Sequence, residues 1–180
     1  MNEILYHTKF LDLKKTKTKS GNDWIYAHRP NANDVVIILP IFNDEVLFLI
    51  EERPPIQAED KGKYTIGLAA GLVGDERIGE SIEDAIKAEL LEETGLVASR
   101  IEIKARKVAS SAGCVSETCV IAVAYIEDKT LRSQPLSDDG IIVDRVWVNK
   151  KDVYSWLAQK ESEDCVLTAQ ALASLFYLYE

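Results

Sequence analysis

Cysteine, histidine, methionine and positive charge are all in short supply: the 180 residues contain three Cys, two His and one Met, and 21 Lys and Arg against 30 Asp and Glu. The odd number of cysteines, Cys114, Cys119 and Cys165, argues against a disulfide framework. The C-x4-C spacing of the first two has no histidine or second cysteine pair beside it to complete a zinc site, so all three are expected to be small core residues. His7 and His28 fall in predicted strands without a partner motif and read as structural. A net charge of -9 argues against a nucleic-acid backbone as partner, because that binding rests on clustered Lys and Arg. An anionic substrate would need local help from a metal or a few arginines. No apolar run approaches the roughly 20 residues of a membrane span. The first residues, with Glu3 and the polar stretch 14–22, lack a signal-peptide pattern. The expected location is the cytoplasm, with neither nucleic acid nor membrane as partner.

Apolar residues, by contrast, are plentiful. At 47% hydrophobic, the chain can bury the core of one soluble domain with a small N-terminal extension. Residues 4–13 and 23–29 are expected as two strands around the polar turn 14–22, where Gly21 and Asn22 supply turn chemistry. Residues 35–42 and 46–51 are strand-forming runs joined through Asn43-Asp44. Arg53-Pro54-Pro55 ends the second of them, since proline gives no N–H and restricts its predecessor. A polar loop, 57–63, leads to an apolar stretch, 64–73, punctuated by Gly67 and Gly71. Ser81 with Asp84 is a capping-box-like start, 82–94 holds no helix breaker, and Gly95 is placed for a left-handed cap. Strand-like runs follow at 101–109, 118–126 and 141–148, interrupted by 110–116 and 132–140, and two helices are expected near 151–159 and 165–178. Mixed strands and helices without regular alternation predict an α+β fold.

The helix at 82–94 carries the sharpest chemical signal. At about 100° per residue, Glu89, Glu92 and Glu93 cluster with Ile82, Ala85 and Ile86, while Glu83, Asp84, Lys87 and Thr94 point the other way. Burying several like charges is costly unless something positive compensates. Carboxylates spaced i, i+3 and i+4 share one helical face, and their oxygens suit a hard divalent cation such as Mg²⁺. Such an ion would neutralise a diphosphate and lower the pKa of a bound water. The competing reading is a solvated glutamate-rich face, and the inward phase counts against it. Glu80, just before the cap, either reaches the same cluster or favours the positive end of the helix dipole.

As a string, Gly74-x5-Glu80-x7-Ala88-Glu89-Leu90-x-Glu92-Glu93-x-Gly95-Leu96 resembles the Nudix box, G-x5-E-x7-R-E-U-x-E-E-x-G-U with U a bulky aliphatic residue. Ala88 stands where the family has arginine, and Gly71 is the alternative box glycine if residues are inserted before Glu80. The resemblance implies a Nudix α/β/α sandwich with a mixed sheet over residues 33–180, preceded by a short N-terminal β element over 1–32. It also implies hydrolysis of a nucleoside diphosphate linked to another moiety, with Mg²⁺ or Mn²⁺ as cofactor.

Outside the box the chain is similar to the ADP-ribose pyrophosphatase branch. The residues that carry this are Trp24 with Arg29, Glu51-Glu52-Arg53-Pro54-Pro55, Ala69-Ala70-Gly71, and Ser110-Ser111-Ala112-Gly113-x3-Glu117. From that resemblance, Glu89, Glu92, Glu93, Glu117 and the carbonyl of Ala70 are expected at the metal. Trp24, Arg29 and Arg53 are expected at the substrate, with Trp24 stacking on the base and Arg53 approaching the phosphates. Glu117 is the first candidate for the general base, and Asp138 or Asp139, with Asp139 preferred, is the second. The branch further implies a homodimer whose N-terminal strands abut or exchange. Gly67 and Ala69 replace the Glu and Pro of the common E-x-P-A-G segment, and 74–79 is lengthened, so substrate contacts there are expected to differ. Because the family arginine ordinarily orients the acidic cluster, Ala88 leaves open a catalytically weakened, nucleotide-binding regulator. An interaction module built on an acidic helix is the third class.

Overall fold

The computed structural model describes residues 2–31, 34–74, 79–135 and 141–179. The N-terminal segment forms a three-stranded antiparallel sheet, β1 (Glu3–His7), β2 (Asp12–Lys17) and β3 (Asp23–His28), in that order. This corrects the expected pair of strands around a 14–22 turn. The chain already turns at Thr8, whose hydroxyl accepts from the N–H of Leu11 at 2.8 Å and donates to the Leu11 carbonyl at 2.7 Å. A side chain that closes its own backbone turn in this way competes with strand continuation. Residues 14–17 therefore belong to β2, and only 18–22 remain as the second turn.

A second, eight-stranded mixed sheet contains β4 (Asp34–Phe42), β5 (Glu45–Glu51), β6 (Tyr64–Gly67), β7 (Ala69–Val73), β8 (Arg100–Ala109), β9 (Thr118–Tyr125), β10 (Ile142–Asn149) and β11 (Cys165–Leu167). The helices are α1 (Pro54–Ala58), α2 (Ile82–Thr94), α3 (Val153–Ser162) and α4 (Ala169–Ser174). Strands β4 and β9, and β6 and β11, run parallel; the other pairings are antiparallel. Along β4, residues 34–38 pair with β7 and only Ile41 and Phe42 pair with β5. The sheet splits between those pairings, and Pro40, which has no N–H to give, sits in the gap.

Alternation along the strands makes two cores. Val36, Ile38, Leu47, Leu49, Ala69, Val120 and Ala122 face α2, where they meet Ala85, Ile86 and Leu90. Ile37, Leu39, Phe48, Ile66, Ile121 and Val123 face α3 and α4, where they meet Val153, Leu157, Ala171 and Leu175. This is an α/β/α sandwich, an α+β fold as expected, with the small N-terminal sheet beside it. Three local expectations change. The predicted 57–63 loop is preceded by α1, which opens on Pro54-Pro55. The predicted helix at 165–178 begins instead as β11, recruited by parallel pairing to β6, and turns helical only at Ala169. Cys114 is exposed rather than a core residue, whereas Cys119 and Cys165 are buried. Among the described residues, no helix is long and apolar enough to cross a membrane.

Candidate active site

Helix α2 has the bounds its caps dictate. The Ser81 hydroxyl accepts from the Asp84 N–H at 3.1 Å, and Gly95 ends the helix in the left-handed region at φ 73°. Glu83, Asp84 and Lys87 are exposed, whereas Glu89, Glu92 and Glu93 are partly buried on the side of Ala85, Ile86 and Leu90. Thr94 departs from the expected outward phase. It is buried, with its hydroxyl bonded to the Leu90 carbonyl.

The wall facing α2 is notched by missing side chains. Gly67, Ala69 and Gly71 lie along β6 and β7 at strand period two, on the face that meets α2. A Cβ at Gly71 would overlap the carboxylate of Glu89. One at Gly67 would lie 2.7 Å from Oε2 of Glu51. Between these notches, the N–H of Ala70 donates to Oε2 of Glu93 at 2.9 Å. Since the N–H and C=O of a strand residue project to the same side, the Ala70 carbonyl shares that edge with Glu93. Arg145 of β10 lies opposite Leu49, on the α2 face, and its Nε donates to the Glu93 carbonyl at 2.5 Å.

Two carboxylates here are held away from their ordinary range. Burial pushes Glu93 up to about 7; the neighbouring charge of Glu51 adds to this, while the Ala70 N–H, Arg53 and Arg145 oppose it. Burial likewise raises Glu51, opposed by the Arg53 guanidinium and the Thr65 hydroxyl. Glu51 is only 2% exposed; its Oε1 accepts from Nη2 of Arg53 at 2.6 Å and its Oε2 from Thr65 Oγ1 at 3.4 Å. Glu51, Thr65 and Arg145 were not singled out from the sequence as site residues. Glu51 carried a usable signal: it shares strand phase with the inward Leu47 and Leu49, the same reasoning that marked the glutamates of α2. Arg145, inside an apolar strand, offered none.

A second group forms where the N-terminal sheet meets loop 110–117. Ala27 pairs with this loop through its N–H to the Cys114 carbonyl at 2.8 Å and its carbonyl from the Ser116 N–H at 3.1 Å. The Trp24 indole N–H donates to the Gly113 carbonyl at 3.0 Å, and the residue is 48% exposed. Arg29 Nε donates to Oε2 of Glu117 at 2.6 Å, and Ser110 Oγ to its Oε1 at 3.2 Å. Glu117 immediately precedes β9, whose Thr118 donates to Asp34 at 2.7 Å, and Asp34 pairs with Val73 of β7. The structure thus gathers Trp24, Arg29 and Glu117 at one seam, and Arg53, Ala70, Glu89 and Glu93 along the notched edge. Asp138 and Asp139 lie outside the described residues.

Among the described residues, no three carboxylate, histidine or cysteine side chains form a ready cation cage. The donors available are nonetheless all oxygen, the set a hard divalent cation requires. Burial, the main cause of the raised Glu93, penalises its charged form, and a bound cation would favour that form. The residues fit a divalent cation in kind, with Glu89, Glu93 and the Ala70 carbonyl as the set that would hold it.

The NUDIX domain family profile matches residues 32–169. No curated protein matches the sequence. The crystal structure of an ADP compounds hydrolase is similar in fold, with TM-score 0.72 and 20% sequence identity over 98% of this chain and 88% of its own. With the profile matching more than half of the chain, and with a helix capped at Ser81 and Gly95 that turns Glu89 and Glu93 onto a glycine-notched strand inside that match, this chain belongs to the Nudix family of hydrolases.

Proposed function

We propose that the protein is a Mg²⁺-dependent pyrophosphatase, with Mn²⁺ as the alternative ion, that cleaves ADP-ribose or a related nucleoside diphosphate sugar into a nucleoside monophosphate and a sugar phosphate. The observation that carries this reading is the seating of Glu89 on Gly71 and of Glu93 on the Ala70 N–H, with Arg53 one strand away. Similarity to an ADP compounds hydrolase adds support for the nucleotide class. Held by Glu89, Glu93 and the Ala70 carbonyl, with Glu92 and Glu117 as further candidate ligands, a divalent cation would supply charge neutralisation and an acidified water.

This chain's own residues do the rest. Arg53, a planar fork with one edge engaged by Glu51, offers its remaining donors to diphosphate oxygens. Trp24, its N–H occupied and its face half-exposed, offers a stacking surface for the base. Glu117, steadied by Arg29 and Ser110, accepts the proton of the attacking water as the bridging P–O bond breaks, and Asp139 is the second candidate for that proton. Residues 1–32 act as the base-contact element on a hydrolase unit of 33–180. The exposed Ile4, Tyr6, Leu13 and Ile25 of the N-terminal sheet favour a homodimer, which light scattering tests. A screen of nucleoside diphosphate compounds with product identification tests the whole reading: AMP and ribose phosphate from ADP-ribose are expected, and failure on every compound refutes it.

Two observations favour a second reading. Ala88 removes the arginine that orients the box acids, and no three described carboxylates converge. A nucleotide-binding regulator with little turnover follows from these two facts. Calorimetry separates the readings, since tight ADP-ribose binding without product identifies the regulator.

A further inference from the structure

We propose that Glu51 is a positioning residue for substrate binding: reaching across from β5, its carboxylate fills the notch over Gly67 and holds Arg53 at the site edge. The inference rests on the reading of Arg53 as a diphosphate contact and deepens it. Register places Glu51 opposite Thr65, and Leu49 opposite Gly67, so all four share the face that meets α2. The carboxylate crosses diagonally toward Gly67, where a Cβ would lie 2.7 Å from its Oε2. Two side chains cannot occupy that space. The common E-x-P-A-G segment carries its glutamate at the position of Gly67, and in this chain an acidic group enters the same space from the neighbouring strand instead.

What the relocated carboxylate holds is specific. Arg53 lies two residues beyond β5 as the N-cap of α1, and Pro54 after it restricts its backbone to an extended conformation, observed at φ -123° and ψ 100°. Its side chain is then tied at Nη2 by the 2.6 Å bond to a carboxylate that is itself buried. Backbone and guanidinium are thus both constrained before any ligand arrives, which reduces the rotamer freedom lost on binding an anion. A purely structural ion pair would behave differently, because removing one partner would then lower the melting temperature and leave KM for the nucleotide unmoved.

The test compares Glu51→Gln, Glu51→Met and Gly67→Ala with the wild type in ADP-ribose hydrolysis with Mg²⁺, with melting temperature recorded for each. KM is expected to rise about tenfold in each variant with kcat within about twofold, the pattern of lost uniform binding. In an Arg53→Gln background, Glu51→Gln should add no further rise. The exchange Glu51→Ala with Gly67→Glu should restore KM to within about threefold of the wild type. An unchanged KM in Glu51→Met and Glu51→Gln, or a rise that adds fully to that of Arg53→Gln, overturns the assignment while leaving the pyrophosphatase reading intact. If the wild type binds ADP-ribose without turnover, the same comparisons are made on dissociation constants. If it neither binds nor cleaves any nucleoside diphosphate compound, both the assignment and the reading beneath it fail.

Discussion

Replacing Glu93 with glutamine isolates the charge that the site buries. Gln keeps an oxygen for the Ala70 N–H, so the hydrogen bond at 2.9 Å survives and only the charge goes. In the folded chain the Glu93 carboxyl is held up to about 7 against an ordinary 4.5, so the fold prefers its protonated form. The stability this gives is fully present below about 4.5 and is lost as pH rises through about 7. At about 1.4 kcal/mol per pH unit of that gap, cation-free wild type should lose up to roughly 3 kcal/mol by pH 8, or roughly 6–12 °C in melting temperature for a domain of this size. Glu93→Gln should not show this loss, so the two proteins should match near pH 4.5 and diverge above it, with the variant more stable. The assay is thermal or urea unfolding from pH 4.5 to 8.5 in chelator, where titrating groups remote from Glu93 cancel in the difference between the proteins and Glu51, relieved of a like charge in the variant, adds to it in the same direction. Saturating Mg²⁺ should then reverse the order, because the ion stabilises only the chain that binds it. A difference that does not vary with pH, or equal stabilisation of both chains by Mg²⁺, refutes the reasoning.

Other perturbations give separable outcomes. Gly71→Ala forces Glu89 from its notch and should lower kcat by roughly a hundredfold with the fold retained by circular dichroism. Trp24→Ala should raise KM for ADP-ribose by about tenfold, with a smaller effect in Trp24→Phe, as steady-state kinetics would record. Glu117→Gln should cost about 10²–10⁴-fold in kcat if this carboxylate takes the proton, and Arg29→Gln, which frees it, should cost less. Ala88→Arg should raise kcat if the box acids are under-oriented, and an unchanged rate would show that Arg53 and Arg145 already supply that charge.

Helix α2 was legible to its last residue because both of its ends are set locally, by the Ser81 hydroxyl and by the left-handed Gly95. The inward phase of Glu89 and Glu93 was legible from helical period, a property of the segment itself, although the same phase put Thr94 outward, where the structure buries it. Strand β11 was not, because Cys165–Leu167 is extended only through its parallel partner β6, about a hundred residues earlier. The early turn at Thr8 was missed because a single hydroxyl closes it, without the glycine or proline that usually marks such a place. Glu51 shows a different limit. Its phase was readable, yet its importance depends on the missing side chain at Gly67 one strand away, and a linear reading has no access to the register that joins them.

Binding of Mn²⁺ followed by electron paramagnetic resonance tests the central claim most directly, since it asks whether the inward carboxylates hold a cation at all. The wild type should remove Mn²⁺ from the free signal, and Glu89→Gln and Glu93→Gln should each weaken that binding severely. Wild type that leaves the free signal unchanged, or variants that bind as the wild type does, would contradict the account.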